Sequence, residues 1–511
     1  MLNFTPALSL FAKYRYNKII SLDPAKTQEE QLLKLLKKAQ NTKFGIEHQF
    51  ASINSVEDYQ KKVRLRTYED FWSEYWKDAF PILDNLTWPG LIPYFPVTSG
   101  TTSGTTKYIP LTKEMNASNV KAGLDLLIYH VINHPTSKLF SGKSFVLGGS
   151  TDLVKEAEGV YSGDLSGIVT KTRPSWVAPF YFPSEEIAFI KDWEVKIDKM
   201  ARLSLQTKIT LLSGVPSWLL ILINKLFEIK NDQSGRIASI YPDLEMIVHG
   251  GVNFKPYEKQ FSSLLEGSKT TLREVYPASE GFIAIADRGS GEGLRMNLDN
   301  GIFYEFVPLE ELGSPNPTRH WIGNVETDVN YAIVLTTCAG LWSYIIGDTV
   351  KFIERNPARL LVTGRTSYCL SAFGEHLIGE EIDDGISTAA NAISKTVVDY
   401  SVGAVFPKDS SDLGAHQYIV EFNEPNITSE EIEKFKKALD IKLCQRNEDY
   451  AAHRAEGFGL KEPMIMVIKQ GAFKEWMKER GKLGGQHKLP RIINDQNLFN
   501  NLVEFSKNNL L

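Results

Sequence analysis

Over residues 97–110 the chain reads V-T-S-G-T-T-S-G-T-T-K-Y-I-P, and apolar, strand-like stretches at 91–97 and 108–111 hold this run on both sides. Few structures suit such a segment. Gly100 and Gly104 let backbone N–H groups turn inward, Ser99, Thr101 and Thr102 add hydroxyl donors, and Lys107 adds charge, which is what a loop wrapping a nucleotide phosphate needs. A Ser/Thr-rich surface linker shares the composition, although linkers seldom sit between two apolar strand-like runs. A Walker loop places its lysine directly after the second glycine. Here the glycines are four apart and Lys107 stands three beyond Gly104, so that family does not fit.

At 511 residues the chain is long enough for two or three domains with buried cores. Its 42% apolar and 23% charged residues are those of a globular protein, and a net charge of -5 supplies no general field for nucleic acid or anionic membrane. Cys338, Cys369 and Cys444 form no CxxC pattern, which suits a reducing compartment without disulfides or structural zinc. No basic n-region with an apolar h-region opens the chain, and its most apolar run, 218–223, is far shorter than a membrane span. A soluble, cytoplasmic protein is expected.

Thr27-x-x-Glu30 reads as a capping box opening a helix with Leu32, Leu33, Leu35, Leu36 and Ala39 on one side, closed by Gly45. Helical patterns follow at about 120–132 and 218–229, and short buried strands at 144–147, 244–249, 333–337 and 351–353. This alternation predicts α/β layers around a largely buried sheet. Near 356–366, N-P-A-R-L-L-V-T-G-R-T changes the character of the chain, and we place a boundary there: a large domain over 1–363, a small one over 364–511, and a hinge near 359–366. Beyond it, strands at 399–405, 417–422 and 464–469 and a second capping box, Thr428-x-x-Glu431, before Ile432, Phe435, Leu439 and Leu443 predict a compact α+β domain.

Three further segments could carry chemistry. In Tyr276-Pro277-Ala278-Ser279-Glu280-Gly281 a hydroxyl stands beside a carboxylate on a loop, a pair able to hold Mg²⁺ through oxygen, or else a solvated surface acid. Gly347-Asp348 ends a hydrophobic run, and an acid there can accept both hydrogen bonds of a ribose diol, or simply sit in a turn. Lys488, behind a glycine-rich stretch in G-G-Q-H-K-L-P-R, could meet a phosphate or developing carboxyl charge, or remain solvated. His130 and His134 have the i, i+4 spacing of zinc ligands, but Val131 replaces a metalloprotease glutamate and Pro135 ends the helix, so a surface helix end is expected. There is no G-x-S-x-G elbow of the hydrolase type.

In this order, the loop, Tyr-x-x-Ser-Glu, Gly-Asp, a hinge and a late lysine resemble the acyl-adenylate-forming enzymes. Within them the chain is most similar to the plant auxin-responsive acyl acid amido synthetases and their microbial relatives. Acyl-CoA synthetases typically carry S-G-T-T-G-x-P-K, with glycines three apart, whereas the amido synthetases carry S-S-G-T-S-x-G-E-x-K, with glycines four apart as in 99–107 here. The likeness runs along nearly the whole chain, and Gln486-His487-Lys488-Leu489-Pro490-Arg491 resembles the family's Q-Y-K-x-P-R. Two features depart from it. The plant Y-R-Y-R-V-G-D is W-S-Y-I-I-G-D here, with Ser343 and Ile345 in place of arginines, and the glutamate after the second loop glycine is Thr105.

The resemblance implies a large adenylate-forming domain of layered sheets and helices and a smaller mobile C-terminal domain. It implies ATP and Mg²⁺ as cofactors, a small carboxylic acid and an amino acid or other amine as partners, and neither nucleic acid nor membrane. Ser99, Gly100, Thr101, Thr102, Gly104 and Lys107 would meet the phosphates, Tyr276 the adenine, and Asp348 the ribose. Glu280, with Ser279, would hold Mg²⁺. Lys488 would act on the α-phosphate or acyl oxygen, and Arg365, with Gly364, would mark the hinge beside the nucleotide. Walls of the acyl pocket are sought at 120–132 and 213–223 and at Gly250-Gly251, where many of the apolar residues are expected to be plain core. An acyl-CoA or other acyl-thioester ligase and a nucleotide-binding regulator without catalysis remain alternatives.

Overall fold

The computed structural model describes residues 5–99, 106–148, 153–173, 175–190, 193–251, 254, 257–289, 291–366, 369–370, 372, 377–406, 413–447, 450–451, 454, 460–481 and 488–511. The chain divides into two compact units, Met1–Val362 and Thr363–Leu511.

The first unit is organised by one long mixed sheet. Its strand order among the described residues is His320–Trp321, Ile302–Pro308, Asn330–Thr337, Tyr344–Arg355, Ala358–Arg365, Leu294–Met296, Gly281–Ile285, Thr271–Ala278, Met246–Gly250, Ile209–Gly214, Lys143–Val146 and Tyr181–Phe182. The run from Thr271–Ala278 to Tyr181–Phe182 is parallel. On the other side Gly281–Ile285 pairs antiparallel with Thr271–Ala278 and with Leu294–Met296, Leu294–Met296 with Ala358–Arg365, and Asn330–Thr337 with Ile302–Pro308 and Tyr344–Arg355. Parallel strands need covered faces, and helices supply the cover. Ile247 and Leu212 face a core with Ile197, Leu219, Leu222 and Phe261, drawn from the helices Trp193–Ser204, Pro216–Lys230 and Glu258–Leu265. Met246, Val248 and Leu211 point the other way, to Leu126 and Tyr129 of the helix Lys113–Asn133. The α/β layering expected from the alternation is therefore present, and the apolar residues at 126, 129, 219 and 222 are core.

A smaller sheet, ordered Thr106–Tyr108, Tyr94–Ser99, Val160–Gly163 and Leu153–Ala157, holds the arms of the hydroxyl-rich loop. Thr98 pairs with Lys107 across the arms. Gly100, Thr101, Thr102 and Gly104 lie outside the described residues.

The N-terminal reading needs correction. The helix Pro24–Ala39 starts before Thr27, because Asp23 accepts the Lys26 N–H at 2.8 Å and Pro24 occupies the first helical position, where a missing N–H costs nothing. Thr27 is buried within that helix. Gly45 does not close the region either. It lies in the short helix Lys43–Glu47, where a Cβ would stand 2.1 Å from the Ala39 carbonyl oxygen.

The second unit is a three-layer sandwich. Its sheet runs Met464–Ile468, Ala415–Phe422, Val397–Val405, Ile492–Ile493. Tyr418, Val420 and Phe422 face Ile382 and Ile386 of the helix Gly379–Ala392 and Phe435, Leu439 and Leu443 of Ser429–Arg446. Ile419 points oppositely, to Phe473 and Trp476 of Ala472–Glu479 and Phe499 and Leu502 of Gln496–Lys507. The Thr428 capping box is formed in both directions: Thr428 N–H donates to Glu431 Oε2 at 2.8 Å, and Glu431 N–H to Thr428 Oγ1 at 3.2 Å. No described helix is long and apolar enough to cross a membrane.

Candidate active site

Two irregular strands bring the separate motifs of the first unit together. Thr271–Ala278 turns through Ser279 and Glu280 into Gly281–Ile285, and the pairing slips so that Phe282 faces Pro277 while Ala284 faces Tyr276. On the strand Tyr344–Arg355, Ala332 faces Thr349 while Val334 faces Ile345, which leaves Ile346, Gly347 and Asp348 opposite Ile333 alone. Bulges of this kind re-aim side chains. The second depends on Gly347, whose φ of +90° is open to glycine and strained for other residues.

The re-aimed groups meet. Tyr276 Oη donates to Asp348 Oδ2 at 2.6 Å, and Tyr344 Oη donates to Glu280 Oε1 at 3.3 Å. Tyr276, Glu280 and Tyr344 are buried, while Ser279 and Asp348 are half-buried. Glu280 is thus no solvated surface acid. The site forms where the parallel part of the sheet gives way to the antiparallel part, close to the carboxyl ends of Met246–Gly250 and Thr271–Ala278, the side on which open α/β sheets bind ligands. Gly250 permits the packing there, since a Cβ would fall 2.2 Å from the Val275 carbonyl oxygen.

Lys107 is turned elsewhere. Its ammonium lies 3.2 Å from Glu69 Oε1 and 5.2 Å from the centre of the Tyr68 ring, and the Tyr68 hydroxyl accepts the Tyr108 N–H at 3.0 Å. Ser99 ends its strand at the entrance to the loop. In the second unit Lys488 is exposed, and Arg365 is half-buried at the end of the strand Ala358–Arg365.

Ser343, where the plant pattern has an arginine, is wholly buried at φ +47°. Arg319 Nη2 donates to its hydroxyl at 2.7 Å, and that hydroxyl lies 2.9 Å from Tyr59 Oη and 3.0 Å from Glu305 Oε2. Arg319 also forks onto Glu305 with two bonds of 2.9 Å. A guanidinium is therefore present beside position 343, supplied by the residue just before the strand His320–Trp321 and committed to the core.

His130 corrects another expectation. Its helix ends at Asn133, but the imidazole is buried rather than superficial, stacked on His134 at 4.5 Å with Nε2 3.2 Å from Glu245 Oε2. Burial pushes the Glu245 carboxyl up, and its hydrogen bonds with His130, Ser137 and the Lys138 N–H outweigh burial, holding it below its ordinary value. No group of three or more His, Cys, Asp or Glu able to cage a metal occurs among the described residues.

Three residues near the site have no role assigned to them by the sequence reading. Tyr344 is legible only through its contact with Glu280. His249, 1% exposed, stacks on Phe254 at 3.9 Å, its two ring nitrogens meet no hydrogen-bond partner among the described residues, and burial lowers its pKa to about 4. Glu274 is in register with His249 on the adjacent strand, and burial pushes its pKa up to about 7.

Models of the GH3 family N-terminal, central and C-terminal domains match residues 18–270, 295–365 and 380–497. The chain is 26% identical over 285 residues to jasmonoyl–L-amino acid synthetase GH3.5 of Oryza sativa subsp. japonica, a match covering 52% of this chain and 48%, about half, of that protein. It is 21% identical over 554 residues to jasmonoyl–L-amino acid synthetase JAR4 of Nicotiana attenuata, covering 94% and 93% of the two chains. Among solved structures, GH3.15 acyl acid amido synthetase superposes with a TM-score of 0.79 at 18% identity over 98% of this chain and 96% of that one. A 2-hydroxyisobutyryl-CoA ligase in the postadenylation state gives 0.62 at 12% identity over 95% and 92%. The fold is that of the adenylate-forming enzymes, as the order of motifs implied. With three consecutive domain models of one family laid along most of its length, the chain belongs to the GH3 family.

Proposed function

We propose that this chain is an ATP-dependent acyl acid amido synthetase, a ligase with an acyl-adenylate intermediate. A carboxylate oxygen of a small acid attacks the α-phosphorus of ATP, forming the acyl–phosphate bond and expelling pyrophosphate. The nitrogen of an amino acid or other amine then attacks the acyl carbonyl, forming the amide, losing a proton and expelling AMP. The observation that carries this reading is the meeting of Tyr276 with Asp348 and of Tyr344 with Glu280, which places motif residues from distant parts of the chain side by side.

Each group has a role its chemistry suits. Asp348 accepts the ribose hydroxyls and Tyr276, hydrogen-bonded to it, flanks the base. Ser99, Thr101, Thr102 and the backbone at Gly100 and Gly104 cradle the phosphates. Lys107 joins them by leaving Glu69, a partly exposed ion pair of about 1 kcal/mol or less. Glu280, an acid whose neighbours Ser279 and Tyr344 are hydroxyls, has the oxygen donors a hard cation takes. Mg²⁺ held there would neutralise phosphate charge. Lys488 stabilises charge developing at the α-phosphate or acyl oxygen, and Arg365 belongs to the hinge on which the smaller unit moves to exclude water from the adenylate. The free thiols of Cys338 and Cys444 support a reducing, cytoplasmic setting.

The test is product mass. The purified chain with ATP and Mg²⁺ is offered indole-3-acetic, jasmonic, benzoic and short aliphatic acids, each with mixed amino acids or with coenzyme A. An acyl-amino acid is expected, with AMP in equal amount. A thioester formed only with coenzyme A would make it an acyl-thioester ligase, and no ATP–pyrophosphate exchange with any acid would leave a nucleotide-binding regulator.

A further inference from the structure

Three residues beyond Lys488, Arg491 is held from several sides. Its Nη1 donates to Asp383 Oδ1 at 2.7 Å and its Nε to Asp399 Oδ1 at 3.2 Å. Tyr400 Oη donates to the same Asp383 oxygen at 2.7 Å, and the guanidinium carbon stands 5.2 Å from the centre of the Tyr400 ring. Asp383 belongs to the helix Gly379–Ala392, whereas Asp399 and Tyr400 belong to the strand Val397–Val405, so one guanidinium ties helix and sheet to the end of the lysine segment. The backbone is pinned as well: Val402 N–H donates to the Arg491 carbonyl at 2.7 Å, and the Ser401 hydroxyl donates to the Pro490 carbonyl.

Between this anchor and Lys488 the chain is stiff. Proline fixes its own φ, and the residue before it is confined to extended backbone. Leu489 also packs against the core that contains Phe473, Trp476 and Phe499. Lys488 therefore stands, exposed, at the end of a short rigid arm, and the direction of that arm is set at Arg491.

We propose that Arg491 is a positioning residue for Lys488: clamped by Asp383 and Asp399, it fixes where the arm leaves the sheet and so the arc the ammonium can sweep. This rests on the adenylation role of Lys488. A planar guanidinium suits the task, because it bonds two carboxylates in different directions while lying over a ring, which an ammonium cannot reproduce. Arg491 itself touches no reacting atom.

The experiment is a mutant cycle on ATP–pyrophosphate exchange in the full chain, using whichever acid of the panel exchanges fastest. Lys488→Ala should lower kcat about a hundredfold or more, because its charge is used chiefly in the transition state. Arg491→Ala should lower kcat about tenfold or more with KM for ATP changed less than about threefold, and Arg491→Lys should fall between. The double variant should be no slower than Lys488→Ala alone, since a residue acting through another adds nothing once the other is gone. Asp399→Asn, which weakens one arm of the clamp, should show the same pattern at smaller amplitude and serves if Arg491→Ala fails to fold. Multiplicative losses in the double variant, or Arg491→Ala and Asp399→Asn at full kcat, would overturn the assignment. Lys488→Ala at full speed would overturn it while leaving the amido synthetase reading intact. An unaltered chain without exchange on any acid would overturn both.

Discussion

The phenol of Tyr276 lies 2.6 Å from the carboxylate of Asp348 although three strands separate theirs in the order of the sheet. At about 4.8 Å per step, a flat sheet would place those strands about 19 Å apart. The sheet must therefore curl until its antiparallel part faces the end of its parallel part, and both bulges lie where the curl closes. The candidate site is the seam of that closure.

Removing the charged half of this contact should matter more than removing the neutral half. Asp348→Asn is expected to lower kcat/KM for ATP in pyrophosphate exchange about ten- to hundredfold, the loss of a hydrogen bond to a charged group. Tyr276→Phe should cost about tenfold or less. If the order were reversed, Asp348 would not be the ribose acceptor.

Gly347→Ala tests the bulge without touching a polar group. At φ +90° an added Cβ should destabilise the fold by about 1–2 kcal/mol. Adenylation should fall as Asp348 is displaced. Thermal melting and exchange rates measured on the same preparation check both, and an unchanged exchange rate would detach the bulge from function.

Glu280→Gln keeps the shape and removes the anion. Exchange is expected to fall about a hundredfold or more and to recover partly as Mg²⁺ is raised, because a cation held at Glu280 would lose one ligand. Titrating Mg²⁺ in both proteins is the measurement. Identical Mg²⁺ curves would remove Glu280 from the metal site.

Ser343→Arg, which writes the plant residue back, should be harmful here. Position 343 is wholly buried and Arg319 already occupies its polar surroundings, so a second guanidinium would lie unpaired beside the first. A loss of about 3 kcal/mol or more is expected in denaturant melts. Normal stability with altered acid preference would instead open this position to the substrate.

Buried His249 and half-buried Glu274, in register on adjacent strands, should shape stability against pH in opposite senses. Free histidine titrates near 6.5, but folded His249 resists protonation down to about 4. Its contribution is complete above about 6.5 and is lost as pH falls through 4, an amplitude of about 3 kcal/mol at most. Glu274, raised to about 7, favours the folded state below its unfolded value, and that advantage is lost as pH rises through 7. His249→Phe should flatten the acid limb and Glu274→Gln the rise-dependent loss, read from urea midpoints between pH 4 and 8.

Much of the fold is legible in local sequence. The Thr428 capping box was readable because its partners are three residues apart and backbone geometry alone brings them together. The apolar periods that made helices of 113–133 and 216–230 are equally local. Local signals also compete: Thr27 and Glu30 fit the capping pattern, yet Asp23 and Pro24, a turn earlier, start the helix.

By itself the sequence determined the order of the motifs, the α/β alternation and the family resemblance, since these depend on residue type and short spacing. Only the tertiary structure decided which motifs touch. Tyr276 meets Asp348 through the curl and two bulges, Ser343 lies in the core where Arg319 reaches it from beside the strand His320–Trp321, and His130 is buried with Glu245 opposite. Each of these contacts joins residues far apart along the chain, where no local preference acts and the packing of the whole sheet sets the distance.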